Sequence, residues 1–188
     1  MQKEIEIKFL SVDKELIRTQ LLEQGFVCTV REFLMKRKKF HPLSTDKNEW
    51  FRVRKESDKI TMTYKCIHSN DLSGTEEAEI TVDDFDNTTE ILLKTGLRNT
   101  STQENLREVW RTGEVEICID TWPGLRPYIE IEAPTEKQVI FMVEKFWLHF
   151  EEGVYGWSEA AYEKELWIPV SELVTLSEIT FENPPKKR

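Results

Sequence analysis

The chain has 188 residues, 32% charged and 39% hydrophobic, with six Trp and ten Phe; that is enough apolar material for one sizeable core and too little length for two. A net charge of -9 argues against nucleic acid or an anionic membrane surface as partner, because phosphates are repelled at long range. No run of about 18 apolar residues offers a membrane span, and the opening residues are too charged for a signal peptide, so a soluble cytoplasmic protein is expected.

In chain order, Lys3-Glu4-Ile5-Glu6-Ile7-Lys8-Phe9 alternates charged with apolar side chains. It reads as a strand with Glu4, Glu6 and Lys8 on one face and Ile5, Ile7 and Phe9 on the other. Ser11 and Asp13 offer caps for a helix reaching residue 24, where Gly25 stops it. Residues 28–34 form a strand-like run. The following Lys36-Arg37-Lys38-Lys39 reads as a solvated edge or loop, with a basic rim that attracts an anion as the alternative. Residues 49–65 predict a hairpin that gathers Arg52 and Arg54 on one strand and Thr61, Thr63 and Lys65 on its partner.

Glu77, Glu79 and Thr81 share the next alternating face, and residues 83–97 look helical. A strand over 105–110 carries Arg107. Residues 114–120 alternate strictly, with Glu114, Glu116, Cys118 and Asp120 on one side, and the strand over 128–132 brings Glu130 and Glu132. Thr135 with Gln138 fits a capping box for a helix to about residue 150. Ser158 can cap a shorter helix through residue 166, and residues 170–176 can make a further turn or two. The end, 183–188, with Pro184 and Pro185, reads as a disordered tail on a single domain spanning 1–182. Cys28, Cys66 and Cys118 make neither a Cys-x-x-Cys pair nor a zinc set and are expected to be reduced; His41, His68 and His149 show no metal spacing.

About seven antiparallel strands, each with one charged and one aliphatic face, accompany amphipathic helices that need apolar surface to cover. Aliphatic faces outward under helices and charged faces inward make an α+β fold around a closed β-barrel with a polar lumen. That lumen would hold Glu4, Glu6, Glu79, Asp120, Glu130 and Glu132 beside Lys8, Arg52, Arg54, Lys65 and Arg107. So many buried charges need a bound partner to complete their neutralisation. The pairs Glu4/Glu6 and Glu130/Glu132 suit a hard cation, Mg²⁺ or Mn²⁺. The cations suit a polyanion, with forked contacts from the arginines and point charges from the lysines.

These residues, in this order, resemble the CYTH or triphosphate tunnel metalloenzyme superfamily: Glu4-x-Glu6-x-Lys8, Phe51-Arg52-Val53-Arg54, Thr63-Tyr64-Lys65, Glu77-x-Glu79, Arg107, Ile119-Asp120 and Ile129-Glu130-Ile131-Glu132. The resemblance implies an eight-stranded antiparallel tunnel with Glu4, Glu6, Glu130 and Glu132 at a metal. It implies Lys8, Arg52, Arg54, Lys65 and Arg107 on a small-molecule triphosphate: tripolyphosphate, thiamine triphosphate or ATP. The implied activity is metal-dependent triphosphate hydrolysis. A class IV adenylyl cyclase and a non-catalytic polyphosphate or nucleotide binder are the alternatives, and a homodimer is open beside a monomer. Lys65, Glu79 and Asp120 are the candidates for the catalytic groups. Two departures from the family pattern stand out: Asn105 occupies a position where many members carry Lys, and Met35-Lys36-Arg37-Lys38-Lys39-Phe40 replaces an Asp-x-Tyr-Phe-Asp-like stretch.

Overall fold

Alternating charged and aliphatic residues do produce the strands, and the aliphatic rows lie under helices. The computed structural model describes residues 2–43, 49–69, 74–156 and 158–187, and of residues 2–4 the backbone alone. The first stretch is two short strands, β1 (Gln2–Glu4) and β2 (Glu6–Phe9), parted at Ile5. Then come α1 (Lys14–Glu23), β3 (Val27–His41), β4 (Glu49–Lys55), β5 (Ile60–Ile67), β6 (Thr75–Val82), α2 (Phe85–Lys94), β7 (Arg98–Thr112), β8 (Val115–Thr121), β9 (Tyr128–Glu132) and α3 (Glu136–Lys145). The chain continues through α4 (Ser158–Leu166), α5 (Val170–Leu173) and a two-residue β10 (Glu178–Ile179).

Taking β1 and β2 as one interrupted strand, eight strands make a curled antiparallel sheet in the order β1-β6-β5-β4-β3-β7-β8-β9-β2, with β10 parallel on β7. The break at Ile5 lets one segment serve both ends of that order: Gln2 lies opposite Glu77 of β6, while Glu6 lies opposite Glu132 of β9.

Ile7, Ile117, Ile119, Ile129 and Ile131 form the aliphatic side of β2, β8 and β9 and are fully buried with Ile17 and Leu21 of α1 and Val139, Met142 and Val143 of α3. Removing one such side chain from water is worth about 2 kcal/mol, so this seam holds the helices to the sheet. A second cluster packs Phe40, Val53 and Leu92 of α2. A third joins Trp122, Tyr128, Tyr162 of α4 and Ile179. The turn after β8 has Gly124 at φ +82, where a Cβ would also meet the Pro185 carbonyl oxygen at 3.0 Å. The expected tail therefore begins with a packed stretch, for Pro185 is buried.

Asp13 caps α1 as anticipated, its carboxylate accepting from the backbone N–H of Glu15 at 2.9 Å and Leu16 at 3.1 Å. Asp13→Ala is expected to cost about 1 kcal/mol, read as a lower urea midpoint with an unchanged slope. Two expectations need correction. The stretch over 105–110 is the end of a much longer strand, β7, whose polar first half pairs with β3. The basic run is no loop: Lys36, Arg37, Lys38 and Lys39 sit mid-strand in β3, laddered to β4 on one side and β7 on the other. Strand periodicity then splits the run, leaving Lys36 exposed while Arg37 and Lys39 are buried.

Candidate functional site

The inward positions of the curled sheet border one cavity of about 440 Å³, lined by Glu6, Lys8, Arg52, Arg54, Lys65, Glu79, Arg107, Glu130 and Glu132 of the anticipated set. The side chain of Glu4 lies outside the described residues. Asp120 is fully buried and touches the site through Arg107.

On the β2–β9 side, Lys8 is 3% exposed and sits between two acids, ion-paired to Glu6 and to Glu130 Oε1 at 2.8 Å. Burial alone would lower its pKa, but the charges of Glu130 and Glu6 outweigh that and raise it. Glu130 shows the converse: burial works against its charge, yet Lys8 and Arg107 hold its carboxyl well below the usual carboxylate range. Arg107 grips Asp120 with a fork, Nε to Oδ1 at 2.8 Å and Nη2 to Oδ2 at 2.5 Å, and Nη2 also reaches Glu130 Oε2 at 2.5 Å. Asn105 Nδ2 donates to the same Asp120 Oδ1 at 2.8 Å. Asp120 therefore aims the Arg107 guanidinium.

The opposite wall is a second cation cluster. Arg52 Nη2 donates to Thr63 Oγ1 at 3.1 Å, and Thr63 Oγ1 donates to Glu79 Oε2 at 2.8 Å. The Arg52 and Arg54 guanidinium groups lie 3.5 and 3.6 Å from that same oxygen. Glu79 is part-buried, which opposes its charge, but Arg54, the Thr63 hydrogen bond and Arg52 hold it below the ordinary range, so it is ionised at neutral pH. Lys65 pairs with Glu77 at 3.2 Å.

The donor set suits a hard divalent cation in kind, since Glu6, Glu130 and Glu132 offer carboxylate oxygens only, and Glu6 and Glu132 face each other in register. Among the described residues no three acids gather into a ligand set; Glu6 and Glu130 share the Lys8 ammonium instead.

Several lining residues were not assigned to the cavity from the sequence, although the basic run was weighed as an anion-attracting rim. Arg37, Lys39, Trp122, Tyr128 and Glu159 all border the cavity, and Lys39 Nζ pairs with Glu159 Oε1 of α4 at 2.8 Å. Alternation from Phe33 through Met35, Arg37 and Lys39 was the available signal for the first two. Glu159 had none, because only the fold brings α4 to β3.

Residues 2–156 match the CYTH domain family. A Methanocaldococcus jannaschii protein named as a candidate adenylate cyclase is 29% identical over 133 residues, covering 69% of this chain and 75% of that protein. Among solved structures, the PH1012 protein of Pyrococcus horikoshii superposes with a TM-score of 0.69 at 22% identity, covering 80% of this chain and 93% of its own. A Hippeastrum protein, described as a candidate adenylyl cyclase with a dominant triphosphatase activity, gives a TM-score of 0.60 at 18% identity, covering 90% of this chain and 99% of its own. Among the described residues no helix is long and apolar enough to cross a membrane.

Proposed function

The chain belongs to the CYTH domain family, within the triphosphate tunnel metalloenzymes, and on that premise we propose that it hydrolyses a small-molecule triphosphate with Mg²⁺ or Mn²⁺ as cofactor. The observation that carries this reading is the convergence of Lys8, Arg52, Arg54, Lys65 and Arg107, from four different strands, on one cavity that also holds Glu6, Glu130 and Glu132. In the same reading residues 1–182 are one cytoplasmic unit and the curled sheet is a closed tunnel. Support for closure comes from the first segment's pairing with both β6 and β9.

Phosphoryl transfer asks a protein mainly for positioning and for charge where the transition state spreads it. Arg52, Arg54 and Arg107 supply forked donors to phosphate oxygens, and Lys8 and Lys65 supply point charges. Asp120 keeps Arg107 aimed. Glu4, Glu6, Glu130 and Glu132 would hold the metal, which when bound polarises a phosphoryl oxygen. Glu79, ionised and anchored by Thr63, and Lys65 are the candidates for orienting a water toward the terminal phosphorus.

A second reading, a class IV adenylyl cyclase, is favoured by the named relative from Methanocaldococcus jannaschii. Product identity separates the readings when tripolyphosphate, thiamine triphosphate and ATP are each incubated with Mg²⁺ or Mn²⁺. Orthophosphate marks the hydrolase, pyrophosphate with cyclic AMP the cyclase, and binding without turnover a sensor. Arg54→Ala is expected to lower kcat/KM by about tenfold or more, the worth of one charge-assisted hydrogen bond; a wild-type value would remove the proposed phosphate grip.

A further inference from the structure

Arg37 is a cavity cation outside this grip. Its side chain is 7% exposed and borders the cavity. Nη2 donates to Asn105 Oδ1 and lies 2.9 Å from Met35 Sδ, while the guanidinium carbon sits 4.7 Å from the Trp122 ring centroid. Lys8, Lys39, Arg52, Lys65 and Arg107 each have a carboxylate partner. Among the described residues Arg37 has none, and its Nε finds no hydrogen-bond acceptor. Burial and then the charges of Arg52, Arg54 and Arg107 push its pKa well below the usual arginine value. A cation in that position is held at a cost until an anion arrives.

A second orphan lies beside it. Trp122 is 3% exposed, borders the same cavity, and has an Nε1–H without an acceptor. An indole N–H can only donate, and buried donors in folded proteins are nearly always satisfied. Two open donors on one wall, next to three further guanidinium groups, therefore call for a ligand rich in anionic oxygens.

Resting on the triphosphate reading of the cavity, we propose that Arg37 and Trp122 form an additional anion subsite, which takes the oxygens of one phosphoryl group on Arg37 Nε–H and Trp122 Nε1–H. Trp122 stands just past one end of β8, and Glu116, opposite Glu132, stands near the other. The Trp122 ring also meets Tyr162 of α4 edge-on, with centroids 6.5 Å apart. The subsite thus fixes the end of the polyphosphate next to α4 and leaves the other end to the acids of β2 and β9. A guanidinium retained only to pack on Trp122 would have the opposite stability signature, since its removal would lower the melting temperature of the free protein.

Isothermal titration with inorganic tripolyphosphate, in EDTA so that no metal takes part, tests the subsite on wild type, Arg37→Met, Trp122→Phe and Arg54→Ala. Arg37→Met is expected to weaken binding by about tenfold and Trp122→Phe by about threefold, while the free Arg37→Met protein melts at or above wild type. Arg37→Met binding within about twofold of wild type, with Arg54→Ala weakened, overturns the subsite alone. Unchanged binding in both variants takes the triphosphate reading down as well, and a wild type that binds no tripolyphosphate under these conditions also overturns the subsite. If Arg37→Met does not fold, Arg37→Lys, which keeps the charge but lacks the Nε–H, is titrated in its place against the same limits.

Discussion

Arg107→Ala is expected to lower turnover by about 100- to 1,000-fold and to destabilise the fold by about 3–5 kcal/mol. The two losses share one origin. Arg107 makes a two-pronged contact to Asp120, whose side chain is fully buried, and its Nη2 also reaches Glu130. Without it, among the described residues Asp120 keeps only the Asn105 amide as a donor, which leaves a buried carboxylate without an ion-pair partner. Adding Asp120→Asn removes that charge. The double variant should therefore regain most of its urea resistance while turnover stays low, because the phosphate donor is still missing. A single variant that turns over triphosphate at the wild-type rate would exclude Arg107 from the grip, and a double variant no more stable than the single would show that Asp120 is not where the stability goes.

Glu159→Gln is expected to cost about 3 kcal/mol near neutral pH, with a defined dependence on acid. Glu159 and Lys39 are both buried and pair at 2.8 Å. Burial by itself would raise the Glu159 pKa, but the Lys39 charge and hydrogen bond reverse this and hold the carboxyl below the usual range. A depressed folded pKa contributes stability that is complete above the unfolded value, about 4.3, and is lost as pH falls through the folded one. Wild type should therefore exceed Glu159→Gln at neutral pH, and the gap should close only below the ordinary glutamate range. His41 and Tyr162 lie in the same field: the His41 pKa is pushed down by burial and then by Lys39, and Tyr162 is raised by burial and then by Glu159. Denaturation curves taken at neutral pH and near pH 3 decide it, and a gap of equal size at both would rule out the ion pair as its source.

Much of the architecture was legible because strand alternation is a local signal. Val115–Thr121 and Tyr128–Glu132 stand where their aliphatic and charged rows put them, and Asp13 and Thr135 cap the helices that follow. The basic run was not legible in the same way. Four successive cations look hydrated in isolation, and what buries Arg37 and Lys39 is supplied from far along the chain: Asn105 on β7, Trp122 after β8 and Glu159 on α4. The first half of β7 escaped for a related reason, since Asn99, Thr100, Ser101, Thr102 and Gln103 carry no aliphatic row, yet Ser101 and Gln103 are buried on the cavity side of a strand held by β3. Asn105, noted as a departure from the family pattern, has a place once Arg37 is seen beside it, accepting from that guanidinium and donating to Asp120.

The interruption at Ile5 has a consequence for the order in which the protein can fold. β1 pairs with β6, but β2 must wait for β9, which is synthesised long after it. Until then both β2 and the outer side of β9 are open edges, and contacts between segments so far apart in sequence are slow to form. A chain paused before Glu132 therefore presents strand edges able to pair with another copy, so β2 docking on β9 is the step that ends the exposure to aggregation.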